Sequence, residues 1–199
     1  MNTTIILASK STHRADLLRN AGIKFQTVTA QISERDIEKP LLEAKLDGAD
    51  VAEVLARAKA DDVSSRNPSA WVIGCDQTLS LEGKLLHKCA DMDEARRRLL
   101  ELSGKTHHLN SAVTLVRDEE VIWSHVEVCS VTMRDLDPGF IGRHLAQVGD
   151  KILSSVGAYQ IEGPGVQLFE KISGDYFSII GLPILPLLVR LRKYDLVDG

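Results

Sequence analysis

The sequence predicts a mixed α/β fold: a bent central sheet flanked by helices, with a cleft on one side. Three observations predict it. The chain opens on a short β-branched run, Thr3 to Leu7, that passes almost at once into a helical pattern. Residues 106–133 are rich in β-formers around a single turn, which reads as two long antiparallel strands. Helical periodicities fill the intervals and close the chain, as a sheet covered by helices requires.

In order, Ala15, Leu17, Leu18 and Ala21 form the inner face of a first helix, capped by Ser11 and closed by Gly22. Phe25 to Thr29 alternates as a second strand, and Pro40 marks the polar stretch from Gln31 to Glu38 as a loop. Val51, Val54, Leu55 and Ala58 place an amphipathic helix near 48–64, carrying Arg57 and Lys59. Trp71 to Cys75 is a buried strand that stops on Asp76, and a tight hairpin turns at Glu82-Gly83 with Lys88 just beyond it. Asp91 and Glu94 match a capping box before the helix that Gly104 ends. After the long strands turn near Asp118-Glu119, Asp137-Pro138 opens a helix running to about Gln147. Four glycines, at 149, 157, 163 and 165, then mark a loop brought close to something; a strand lies within 169–180, and Leu182-Pro183 starts the last helix.

Composition sets the outer bounds. At 199 residues, the chain is long enough for one generous domain or two small lobes around a real core. A net charge of -4 gives no general attraction to a polyanion, so a nucleic acid polymer is not the expected partner. The three cysteines, Cys75, Cys89 and Cys129, are widely spaced without a CxxC and fit reduced thiols in the cytoplasm. Neither a secretory leader nor an apolar run long enough to cross a membrane is expected.

The chemistry concentrates at two places. Between the first strand and helix, unpaired backbone N–H groups, the positive end of the helix dipole, the Ser9 and Ser11 hydroxyls and the Lys10 and Arg14 cations outline an anion site. The plainer reading is an ordinary βα unit with surface charges. The second place is Asp76, where side chains emerge at the mouth of an open sheet, although a lone Asp there also serves as a turn-former. Glu34, Lys59 and Lys88 would each be surface charges alone. Together with Asp76 and Arg14 they suit metal-assisted attack on a phosphoanhydride, in which carboxylates hold a divalent ion and orient water while cations stabilise the phosphates. No Walker A motif or GxSxG elbow occurs. His87 with Cys89, and His107 with His108, lack a second pair at zinc spacing and are read as solvated or structural.

The run LASKSTHR resembles the LASxSxxR opening of the Maf family of nucleoside triphosphate pyrophosphatases. ISER around Glu34, LARAKA around Lys59, VIGCDQT around Asp76, LHK ending at Lys88, LSGKTHH, VGAYQIEGPG and ISGDYFSIIGLP follow in the family's order, covering nearly the whole chain. The resemblance implies a single domain over 1–199, with two lobes around a nucleotide cleft, similar to the inosine triphosphatases. It implies a cytoplasmic enzyme, often a homodimer, that converts a nucleoside triphosphate to the monophosphate and pyrophosphate with a divalent metal, Mg²⁺ or Mn²⁺. By the same resemblance Asp76 is the proton acceptor, Glu34 and Asp76 bind the metal, Lys59 and Lys88 act on the phosphates, and Ser9, Ser11 and Arg14 bind substrate. Three positions, His13, Gln77 and Glu162, differ from the branch acting on pyrimidine triphosphates; Gln77 and Glu162 match a branch acting on 7-methylguanosine triphosphate, which has Trp in place of His13. The expected base is therefore modified or purine. Cys89 also stands where the family often has Pro after its Lys. The alternative of another class is a regulatory protein that restrains septum formation through a partner, with nucleotide as signal only. A third, a phosphatase, would release orthophosphate.

Overall fold

The computed structural model describes residues 4–198, so Thr3, assigned above to the first strand, lies outside the described residues. In chain order the elements are β1 (Ile5–Ala8), α1 (Thr12–Asn20), β2 (Gln26–Thr27), α2 (Glu34–Glu43), α3 (Gly48–Ser65), β3 (Trp71–Leu81), β4 (Lys84–Leu86) and α4 (Met92–Leu102). They continue as β5 (Thr106–Arg117), β6 (Glu120–Met133), α5 (Pro138–Val148), β7 (Phe169–Ser173), α6 (Tyr176–Ile180) and α7 (Ile184–Lys193). Two 3₁₀ turns, Gly149–Ser154 and Pro164–Leu168, lie in the glycine-marked segment.

The strands form one mixed sheet in the order β2-β1-β3-β5-β6-β7, with β4 paired to β3. Its organising strand is β3, which is apolar and β-branched at its start and pairs antiparallel with β5 from Trp71 to Ser80. On its other edge β1 runs parallel to it only as far as Ala8 opposite Gly74, and β4 takes up the edge again at Leu79. Residues 75–78 therefore face a notch between two partner strands. That corrects the expectation that the strand stops at Asp76: only its neighbour stops there.

Strand alternation sorts the core. Trp71, Ile73 and Cys75 pack with β1, α1 and α7, while Leu79 and Leu81 on the same face pack with α4 and α5. Between these two apolar clusters, Gln77, Ser111 and Ser178 form a hydrogen-bonded polar strip. On the opposite face Val72 meets Ala60 and Val63 of α3. Gly74 faces that helix too, and a Cβ there would stand 2.1 Å from the Ala56 carbonyl oxygen. Its lack of a side chain, with Ala52, Ala56 and Ala60 opposite, lets α3 lie unusually close to the sheet. Asp47 starts α3 with a reciprocal capping box: its carboxylate accepts from the Ala49 and Asp50 amides while the Asp50 carboxylate accepts from the Asp47 backbone N–H.

Several sequence expectations need revision. Residues 34–43, read as part of a loop, form α2 despite Pro40. The pyrrolidine removes one mid-helix N–H, but Glu34 and Asp36 in the first turn favour the helix start electrostatically. The second strand is only two residues long, and Ala21 is exposed rather than on the inner face of α1. In the capping box at α4, Glu94 accepts from the Ala90 amide rather than from Asp91. The hairpin turn, the β5–β6 pair and the starts of α1, α3 and α5 fall where the sequence places them. His107 is fully buried and hydrogen-bonded through Nε2 to Tyr159 Oη at 2.6 Å, and burial pushes its pKa down to about 4, so it is a neutral structural group.

Candidate active site

A cleft of about 1440 Å³ opens at the notch in β3 and is lined by every residue singled out from the sequence: Ser9, Ser11, His13, Arg14, Glu34, Lys59, Asp76, Gln77, Lys88 and Glu162. Each reaches it for a local reason. Ser11 caps α1 by accepting from the Arg14 amide at 3.4 Å, as its position predicts. Ser9 Oγ accepts from the Ser11 amide at 3.2 Å and from Arg14 Nη1 at 3.3 Å, which folds the β1–α1 connection over the notch. The Arg14 guanidinium also donates to the Cys75 carbonyl at 3.1 Å, within the unpaired edge of β3, and through Nε to the Gly181 carbonyl at 2.8 Å. The chain's first helix is thereby tied to its last turn before α7. Lys10 lines the cleft but is exposed.

Below this turn lies the charged centre. Lys59 projects from the close-packed face of α3 and reaches Asp76 Oδ1 at 2.5 Å and Glu34 Oε1 at 2.8 Å. Asp76 and Lys59 are buried at the base of the cleft, whereas Glu34 stands at its exposed lip on α2. Burial alone would push the Glu34 carboxyl up. The Lys59 ammonium beside it, with Lys88 and Arg14 further off, outweighs burial and holds it below the ordinary carboxylate range. Lys88 responds in the opposite sense: partial burial and the Arg14 and Lys59 cations push its ammonium below the ordinary lysine range, against the pull of Glu34 and Asp76.

At the other end, His13 Nδ1 lies 3.1 Å from Glu162 Oε1, and its Nε2 lies 3.3 Å from the Gln160 side-chain nitrogen. Gln77 sits on the polar strip, with its amide nitrogen donating to Ser111 Oγ at 2.9 Å and to the Ser178 and Ile179 carbonyls at 3.1 and 3.0 Å. Those three acceptors fix which end of the amide is which, so Oε1 is the end left to accept. Sequence reasoning did not find Gln160 or Ser111. Gln160 lies within the motif around residue 160, but its neighbours come from distant elements, and nothing local reveals that contact.

Among the described residues no group of three or more His, Cys, Asp or Glu side chains could cage a metal. Glu34 and Asp76 nonetheless supply hard carboxylate oxygens at one point of the cleft wall, with one oxygen of each directed at Lys59. Two carboxylates completed by phosphate oxygens and water are what Mg²⁺ ordinarily takes.

Two carboxylates, a buried lysine and a serine–arginine turn meet around one deep cleft, an arrangement suited to the phosphates of a nucleotide-hydrolase substrate. The chain belongs to the Maf family: the family profile, described as Maf-like protein, matches residues 4–194. Relatives named 7-methyl-GTP pyrophosphatase from Brucella abortus and Mesorhizobium japonicum are each 60% identical over 100% of both chains. One of the same name from Rhizobium etli is 54% identical, again over 100% of both. A solved nucleoside-triphosphatase / dITP/XTP pyrophosphatase from Mycobacterium abscessus is a distant likeness: 14% identical, TM-score 0.42, over 98% of this chain and 96% of that one.

Proposed function

We propose that this chain is a nucleoside triphosphate pyrophosphatase that hydrolyses 7-methyl-GTP to the nucleoside monophosphate and pyrophosphate. The observation that carries the reading is the meeting of Asp76, Lys59 and Glu34 beneath the Ser9–Arg14 turn in a single cleft. The kinship to relatives named for that activity supports it. The cytoplasm and a homodimer remain its expected compartment and assembly, and no helix among the described residues is long and apolar enough to cross a membrane.

In this mechanism Arg14, Lys88 and the amides at the start of α1 receive the triphosphate and take up the charge that grows on the departing pyrophosphate. Lys59 pairs with one Asp76 oxygen and fixes its rotamer, leaving the other carboxylate oxygen to face a water and accept its proton. Glu34 orients the same water from the lip of the cleft. A divalent cation held by Glu34 and Asp76 would polarise the phosphates as a Lewis acid. Gln77 Oε1 and the Glu162 carboxylate offer acceptors to the N1–H and N2–H₂ donors of a guanine edge, and methylation at N7 adds a positive charge that suits Glu162.

The test is a panel of nucleoside triphosphates, methylated and unmethylated, with Mg²⁺ or Mn²⁺, followed by pyrophosphate release. The expected result is kcat/KM highest for 7-methyl-GTP by about ten-fold or more over GTP. Equal rates on every base would refute the assignment of the base, and no turnover at all would refute the enzyme. A regulatory protein using nucleotide only as a signal would have no need of a proton acceptor such as Asp76 at the base of the cleft.

A further inference from the structure

Arg98, on α4, has no part in the site described above, yet it is an arginine buried to 8% exposure directly beneath it. Its Nη1 carries two hydrogens and uses them on two different walls of the cleft. One goes to the His87 carbonyl at 2.8 Å, on the residue before Lys88; the other goes to the Val156 carbonyl at 3.1 Å. Val156 lies in the stretch from Ser154 to Glu162 that lines the cleft with Tyr159 and Gln160. Both accepting carbonyls lie outside helices and strands, so no ladder holds them. The Glu101 carboxylate, 3.4 Å from Arg98 Nε, supplies a counter-charge on the same helix. With Cys89 in the place after Lys88, that wall has no proline to stiffen it.

We infer that Arg98 is a positioning residue that locks the Lys88 wall to the Gln160–Glu162 wall, so that filling the phosphate end of the cleft prepares the base end. The inference rests on the functional reading above and adds a coupling that reading does not contain. A guanidinium shared by two loops transmits the displacement of either to the other, whereas two independently braced loops would bind their halves of a nucleotide without regard to one another.

Calorimetry of the full chain with separated halves of the substrate tests this without turnover. In Mg²⁺ buffer, pyrophosphate is expected to raise the affinity of wild-type protein for 7-methylguanosine by at least about five-fold. In Arg98→Met that enhancement is expected to fall to about one-fold while each ligand alone still binds, a pattern that mere loosening of the fold does not give. If Arg98→Met melts below the temperature of the experiment, Arg98→Lys, one bond too short to reach both carbonyls, must show the same loss. Enhancement that survives in the folded variant, or is absent from a wild type that binds both ligands, overturns the coupling. A wild type that binds neither ligand overturns the functional reading, and the coupling with it.

Discussion

Asp76 presents one oxygen to a buried ammonium, and its other oxygen is free to meet water. Asp76→Asn keeps the shape and the notch but removes the proton acceptor. Pyrophosphate release is expected to drop by about 10²-fold or more, with the far-ultraviolet spectrum little changed and the thermal midpoint lowered, because the buried Lys59 loses its nearest counter-charge. Lys88 makes a second residue-scale prediction. Its folded pKa lies below the 10.5 of an ordinary lysine, so the folded chain holds that proton less tightly than the unfolded one. The resulting destabilisation is present at neutral pH and vanishes as pH rises past 10.5. Lys88→Met should therefore leave the thermal midpoint at pH 7 unchanged or higher while kcat/KM falls about ten-fold or more. The wild-type alkaline limb should set in below 10.5. Glu34 has the opposite sense: its lowered pKa gives stability that is present above 4.5 and lost as pH falls through the lower folded value, which an acid titration of the fold can follow. Asp76, Glu34, Lys59 and Lys88 became candidates as a set and through the blocks that resemble Maf motifs, since each alone reads as a surface charge or a turn-former. Their meeting was not legible, since Lys59 reaches Asp76 only through the packing of α3 on β3.

At the scale of the element, the site depends on how near α3 lies to the sheet. Gly74→Ala would place a methyl 2.1 Å from the Ala56 carbonyl oxygen and 2.7 Å from Ala60 Cβ. The helix must retreat, at an expected cost of about 1–3 kcal/mol in urea unfolding, and activity should fall with it because Lys59 moves away from Asp76. A variant as stable and active as wild type would show that the close approach does not matter. Caps and turns were readable here because their chemistry is local: Ser11, Asp137 and Glu82-Gly83 act within a few residues of themselves. The α2 helix was hidden because Pro40 interrupts it and its charged first turns read as a polar loop, which outweighed the spacing of Ile37 and Leu41. The extent of β3 was misjudged for a different reason. Asp76, Gln77 and Thr78 look like a strand's end, yet β5 continues to pair with them where β1 does not.

Over the whole molecule, the cleft draws on residues from Ala8 to Ile180, and Arg14 reaches on to Gly181. A chain of net charge -4 thus gathers its site cations at one point, which favours a small polyphosphate over a long polyanion. The fold class was legible from the order of strand and helix patterns, and motifs spread along the chain pointed to the candidate residues that line the cleft. What lay beyond the sequence is the geometry between distant segments: the Gln77–Ser111–Ser178 strip, the His13–Glu162 pair and the reach of Arg98. The central claim is that this cleft cuts one nucleotide between its α and β phosphates. Phosphorus NMR of a 7-methyl-GTP reaction tests it most directly. The expected spectrum shows the nucleoside monophosphate and pyrophosphate rising together from the first turnovers; orthophosphate with the diphosphate as the first products would contradict it.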